Sequence, residues 1–420
     1  MPYYAIYETK NTAAILNDMK LDFDYAWYEE GKAWFTDKRM NYIFCADIRK
    51  KEIDILGKLP GNQYRNYSKV IKFGSKLICL PCAEKDIIIY NLETGRYTRI
   101  AIKNCGEVLR IYCSYAGVFE GKLYFMITNL KRIAALDLVK EEIAFFFDIG
   151  CCSAEDVIGH KSELYGHKLY IPIATENKVI VYDIRSKECK EKWIEGDISG
   201  ISWICRDGDC LWLVGFSYGI VRWDLHTGKI SSAKDFPEDF KMYDVIRRKN
   251  KRELEWYLYS EKKKIISDDD KSFCWECVCN KENIWNITSR SDSIIRVNAK
   301  TMTLDAIKLV DVKEFIAEPY EFILLGLDSD NHIFVFSRRS HELYNINCET
   351  LEYYTESWNM TLEALHILAE DLFGKMTNER RGGLEEFVFC LSNKNCDRKG
   401  DKVYSTVGTQ IYKQIVKGRM

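Results

Sequence analysis

Seven times along the chain a turn-forming patch is followed by an apolar pair, and an Asp or Asn stands a fixed distance beyond it. The pairs are Ala33-Trp34, Leu77-Ile78, Leu123-Tyr124, Leu169-Tyr170, Leu211-Trp212, Ile284-Trp285 and Ile333-Phe334. The polar residues that answer them are Asp47, Asn91, Asp137, Asp183, Asp224, Asn298 and Asn347. The offset is 14 residues in six units and 13 in the unit that starts at Leu211. Successive pairs lie 44, 46, 46, 42, 73 and 49 residues apart. The long interval is one ordinary period plus an insertion of about 28 residues, too short to hide another unit of the ~45-residue size.

Each unit reads as four strands. In the second, Lys69–Phe73 turns at Gly74 into Leu77–Leu80, and Asp86–Asn91 turns at Glu93-Thr94-Gly95 into Arg96–Ile102. These runs are short, rich in β-branched and aromatic residues, and bounded by turn formers, which is the strand signature. An Asp or Asn ahead of a tight turn accepts from backbone N–H groups two residues on, and Gly95 or Gly228 supplies positive φ. The seven Asp and Asn residues are therefore expected to cap hairpins between third and fourth strands, not to ring a metal. A four-stranded unit cannot hide its own faces, whereas radial stacking of units does.

The pattern resembles the β-propeller superfamily over about residues 22–358, and Trp223-Asp224 followed by Leu-His-Thr-Gly is similar to the ending of a WD repeat. One unit of seven has that pair; the partner Gly-His dipeptide and the Gly-Gly doublets of kelch repeats are missing. The resemblance implies an all-β, seven-bladed β-propeller, WD-repeat- or kelch-like in layout, and carries no binding residues with it. Residues 1–21 are expected to form an N-terminal strand or extension, 243–271 an insertion between blades five and six, and 359–420 a short helical tail. In that tail Leu362, Leu365, Leu368, Leu372 and Met376 fall at helical spacing behind Thr361 as N-cap. Segments 384–391 and 409–416 are expected as two further short helices.

With 61 basic and 63 acidic side chains and a formal charge of −2, the chain has no field to hold a nucleic-acid backbone or an anionic membrane. No apolar run is long enough to span a bilayer, and the first residues lack a signal-peptide pattern. The sixteen cysteines are accordingly expected as reduced thiols in a cytoplasmic protein, many of them small hydrophobes inside strands. Cys79-Leu-Pro-Cys82 and Cys274-Trp-Glu-Cys277-Val-Cys279 have metal-like spacing, but strand residues i and i+3 point to opposite faces. Asp328-Ser-Asp330-Asn331 lacks the central Gly of a calcium loop and sits where a hairpin is due. No metal and no cofactor is expected.

The six histidines are scattered, and no phosphate-cradling Gly-rich loop occurs. The candidate site is instead the propeller face carrying the loops that lead into first strands and those that join second to third strands. The residues proposed there for partner binding are Tyr64, Arg65, Arg110, Tyr112, Trp203, Arg338 and Arg339. Tyr67, Glu155, Asp156 and Glu318 belong to the first loop set, and Arg39, Lys85, Lys131 and Arg290 to the second. Interleaved Tyr, Trp and Arg suit protein or glycan recognition, because they join rigid contact area to directed donors. The sequence thus supports a non-catalytic scaffold with a protein partner first and carbohydrate second. The alternative is a lyase or hydrolase acting on a small anionic or sugar substrate, with Glu155, Asp156 and Glu318 as converging carboxylates.

Overall fold

The computed structural model describes residues 21–61, 66–103, 112–216, 218–233, 236–237, 240–248, 251–258, 274–280, 282–288, 291–309, 322–338, 340–368 and 371. For 241–248, 251–258 and 274–275 it describes the backbone alone.

Seven antiparallel sheets of four consecutive strands follow one another along the chain. Blade 1 is β1–β4 (Ala26–Glu29, Lys32–Thr36, Tyr42–Asp47, Glu52–Lys58), and blade 2 is β5–β8 (Tyr67–Phe73, Lys76–Pro81, Asp86–Asn91, Arg96–Ala101). Blade 3 is β9–β12 (Cys113–Phe119, Lys122–Ile127, Arg132–Asp137, Glu142–Asp148), and blade 4 is β13–β16 (Glu163–Tyr165, Lys168–Ile173, Lys178–Asp183, Cys189–Trp193). Blade 5 is β17–β20 (Trp203–Asp207, Cys210–Val214, Ile220–Asp224, Ile230–Ser232). A hairpin, β21–β22 (Lys241–Arg248, Lys251–Leu258), precedes blade 6, β23–β26 (Cys274–Cys279, Asn283–Thr288, Ser293–Asn298, Leu304–Lys308). Blade 7 is β27–β30 (Phe322–Leu327, His332–Ser337, Glu342–Asn347, Tyr353–Ser357). The short strand β31 (Asn359–Met360) and a helix, α1, at residues 362–368 close the described chain.

The core explains the ring. Successive residues of the middle strands face opposite neighbours: Phe35 and Phe44 pack toward blade 7, while Trp34 and Ile43 pack toward blade 2. Each of the seven junctions has its own apolar cluster, from the blade 7–1 junction round to that between blades 6 and 7. A second or third strand buried on both faces reads as a continuous apolar run, as in Ile87-Ile88-Ile89. Burying each such side chain contributes about 1.5–3 kcal/mol. Outer strands have little to cover them, and Arg96–Ala101 is exposed at five of six positions. The seven-bladed β-propeller anticipated from the repeat is thus the fold of this chain.

All seven repeating Asp and Asn residues cap third-to-fourth-strand turns. Asn91 Oδ1, for example, accepts from the N–H groups of Glu93 and Thr94 at 2.9 Å each, and Asp224 Oδ1 from His226 and Thr227 at 2.9 and 2.8 Å. Asp47, Asp137, Asp183, Asn298 and Asn347 do the same. Asp328 likewise receives the N–H groups of Asp330 and His332 within a first-to-second-strand hairpin.

Ring closure falls between blades 7 and 1. β31 adds in parallel to β4 at the outer edge of blade 1, with the N–H groups of Asn359 and Thr361 reaching Lys51 and Ile53 carbonyls. Thr361 caps α1 by accepting from Ala364 N–H at 3.2 Å. Leu365 and Leu368 are buried against both blades, whereas Leu362 is 83% exposed. Phe23 stacks on Phe35 and Phe336, and Phe336 on Trp358. A Cβ on Gly326 would sit 2.5 Å from the Tyr28 side chain, so the inner strands of these blades meet only because residue 326 has none.

One expectation fails. Cys151, after β12, and Cys189, opening β16, are joined by a disulfide. The packing of blades 3 and 4 brings them together, a proximity that their separation of 38 residues does not reveal. The reading of all sixteen cysteines as reduced thiols, one support of the cytoplasmic assignment, therefore does not hold. Among the described residues no helix is long and apolar enough to cross a membrane. Residues 1–20 of the expected N-terminal strand or extension and the segments expected as helices at 384–391 and 409–416 lie outside the described residues.

Candidate functional site

Every first strand runs in the same sense, so residues at their starts gather at one end of the central channel. Tyr25 just before β1, Lys69 on β5, Ser114 on β9, Trp203 on β17 and Glu276 on β23 meet there, together with Lys161 and Glu163 at β13. The Lys69 ammonium lies 4.4 Å from the Tyr25 ring centre and 5.6 Å from that of Trp203. Those two rings, from blades 1 and 5, stack at 6.1 Å. Lys69 Nζ donates to the His160 carbonyl at 3.0 Å, and Ser114 Oγ to the same oxygen at 2.8 Å. Residues from non-adjacent blades touch only across the axis, and Lys69 is 7% exposed. Side chains therefore meet across the axis at this end.

The charges are set against one another. Burial pulls the Lys69 ammonium down to about 8, against the opposing field of Glu276. Burial lifts the Glu276 carboxyl to about 8, against Lys69 and Lys161. Glu163 is raised to about 7 by burial, opposed by Lys161, whose Nζ stands 3.6 Å from it. Burial works against the Lys161 ammonium, but Glu163 and nearby thiols hold it above the ordinary lysine range. A buried amine with one buried and one part-buried carboxyl, all titrating near neutrality, is the kind of cluster found at functional sites. Chemically the arrangement can hold a cation on aromatic faces, relay a proton, or anchor the ring electrostatically.

Of the residues proposed from the sequence, Trp203 is in this cluster, but it is 3% exposed within the channel and not on its rim. Arg338 is nearby: its Nη2 donates to the Phe23 carbonyl at 2.5 Å and to Asp24 Oδ1 at 3.1 Å. It ties blade 7 to the segment leading into blade 1. Tyr112 stands apart, 41% exposed ahead of β9. Tyr64, Arg65, Arg110 and Arg339 lie outside the described residues, as do Arg290 and Glu318.

Some second-to-third-strand loops use their basic residues as staples, whereas Lys85 faces solvent. Lys131 Nζ donates to the Ser153 carbonyl at 2.6 Å, and Lys38 and Arg39 pair with Asp22 at 3.1 and 3.5 Å. Tyr67 is buried, Glu155 faces solvent, and Asp156 is buried in a 3.1 Å pair with Lys178. Glu155 and Asp156 therefore do not converge on a pocket. Tyr25, Lys69, Lys161, Glu163 and Glu276 were missed from the sequence. For Glu276 the available signal was a charge inside an otherwise apolar inner strand, whereas Lys69 shares β5 with a second lysine, Lys72.

The fold defines the chain as a seven-bladed β-propeller, with a cluster of buried side chains meeting across its axis. No protein-family model and no curated protein matches the chain. Among solved structures it is similar to a streptogramin B lyase, at 16% identity and a TM-score of 0.54, covering 76% of this chain and 91% of that one. It is also similar to U3-55K, at 10% identity and a TM-score of 0.49 over 81% and 94% of the two chains. BamB from Moraxella catarrhalis is a third, at 13% identity and a TM-score of 0.45 over 76% and 81%. At these identities the lyase likeness speaks for the fold alone, and the other two carry no argument.

Proposed function

We propose that this propeller is a non-catalytic binding scaffold that engages a protein partner, with carbohydrate as the second choice, on the face where the first strands begin. The observation that carries the reading is that the protein's own Lys69 occupies the aromatic cage between Tyr25 and Trp203. A partner approaching that end meets this cluster and the exposed Tyr112 ring. Exposed aromatic and basic groups on a rigid ring supply contact area at low entropic cost.

The test is affinity capture followed by quantitation of the bound partner. The triple variant Arg65→Ala, Tyr112→Ala, Arg339→Ala is expected to lose capture by at least about tenfold. Phe73→Ser, at the far end of β5 where Phe73 is 42% exposed, is expected to retain it. Equal capture by all three proteins contradicts the assignment.

A catalytic reading draws on one observation, the near-neutral titration of Glu163, Glu276 and Lys69. It requires a small anionic or sugar substrate to reach the buried side chains that meet across the axis. Thermal-shift measurement with a panel of such compounds separates the two. The binding reading expects no shift above about 2 °C that Glu276→Gln abolishes, whereas turnover of a compound whose larger shift is lost in Glu276→Gln supports catalysis.

A further inference from the structure

Blades 5 and 6 bring three thiols together beside the channel. Cys205 on β17 and Cys279 at the end of β23 stand sulfur to sulfur at 3.1 Å, although 74 residues separate them. Cys279 Sγ is also 2.9 Å from the Arg206 carbonyl oxygen, so its one proton is shared between that oxygen and Cys205. Cys277, two residues earlier and so on the same face of β23, hydrogen-bonds Cys205 as well. Cys205 and Cys277 are buried, and Cys279 is partly exposed. The Lys161 ammonium acts on all three.

The environment divides their roles. Hydrogen bonds from Cys277 and Cys279 are the largest influence holding the Cys205 thiol well below its ordinary range, with Lys161 adding to them. The bond to Cys205 and burial push Cys279 up. One sulfur is thereby favoured as thiolate and its neighbour as thiol, the division that a reactive and a resolving cysteine require. Among the described residues no group of three or more His, Cys, Asp or Glu is placed to hold a metal ion.

We propose that Cys205 and Cys279 form a reversible disulfide on exposure to a hydroperoxide, stapling blade 5 to blade 6. Cys205 Sγ attacks the terminal peroxide oxygen, the O–O bond breaks, and the departing alkoxide or hydroxide takes up a proton. Cys205 is left as a sulfenic acid. The Cys279 sulfur, giving up its proton, then displaces hydroxide from Cys205; the S–S bond forms and the proton and hydroxide leave as water. The peroxide is reduced by the two electrons that the thiols lose, and a dithiol reductant reverses the bond while becoming a disulfide itself. The sulfurs must close by only about 1 Å to reach bonding distance.

The test treats the full chain with hydrogen peroxide, blocks remaining thiols with N-ethylmaleimide, and maps non-reduced peptides by mass spectrometry. The expected product is a peptide pair joined through Cys205 and Cys279 that separates with dithiothreitol. Cys205 is expected to be oxidised at least about tenfold faster than Cys79, a thiol that burial alone holds protonated. In Cys279→Ser the reaction should stop at a Cys205 sulfenic acid that dimedone captures. Alkylation of both Cys205 and Cys279 after peroxide overturns the proposal, as does a Cys205–Cys277 link in its place. So does a Cys205 no faster than Cys79. Should Cys279→Ser fail to fold, the mapping of the unmodified sequence decides alone.

Discussion

At the scale of single residues, the channel cluster has a pH signature. Glu276 titrates at about 8 in the folded chain against an ordinary 4.5. Between those values the folded protein holds a proton that the unfolded chain has released, so this group's contribution to stability falls as pH rises through the window. Lys69 has the opposite sense: its value drops from 10.5 to about 8, the unfolded chain holds the extra proton, and stability rises with pH over that range. Urea unfolding of Glu276→Gln beside the parent protein should show the variant gaining relative stability from pH 5 to pH 8. A difference that stays constant across that interval contradicts the burial assigned to Glu276. Trp203 teaches a related lesson. A Trp at the start of an inner strand reads from the sequence as a rim aromatic, but the convergence of the inner strands places it across the axis from Tyr25.

At the scale of elements, α1 and β31 act as a latch over the closing junction. Leu368 is 1% exposed in the cluster shared by blades 7 and 1, and Leu362 on the same short helix is 83% exposed. Leu368→Ala should cost about 2–5 kcal/mol in equilibrium unfolding, and Leu362→Ala should stay within about 0.5 kcal/mol of the parent. Equal effects from the two would show that the helix does not dock as described. The hairpins were the most legible parts of the sequence, because an Asp or Asn cap and a glycine turn are local chemistry, written within five residues as in Asn91–Gly95. The latch was legible only in outline: helical spacing and the Thr361 cap announced α1, but its dock depends on Phe44, Phe336 and Trp358, which come from both ends of the ring. The surroundings of two basic hairpin residues were hidden for the same reason. Lys131 and Arg338 read as free rim cations, and their partners are carbonyls and a carboxylate of neighbouring loops that only the closed ring supplies.

At the scale of the whole molecule, seven sheets share seven apolar junctions, and each sheet depends on two neighbours for the cover it cannot give itself. The blade count was readable because the repeat is a property of one unit, carried seven times. The channel cluster was not, because it is a property of the closed circle: Tyr25, Lys69, Lys161, Trp203 and Glu276 each come from a different blade or the segment leading into it. The same holds for the thiols of blades 5 and 6 and for the Cys151–Cys189 bridge, whose partners meet across blade junctions. The most direct measurement is an experimentally determined structure of the full chain at a resolution that shows side chains. The expected result is a closed ring of seven four-stranded blades with the Lys69 amine seated between Tyr25 and Trp203. A different number of blades, an open superhelix, or a water-filled channel with Lys69 turned away from those rings would contradict it.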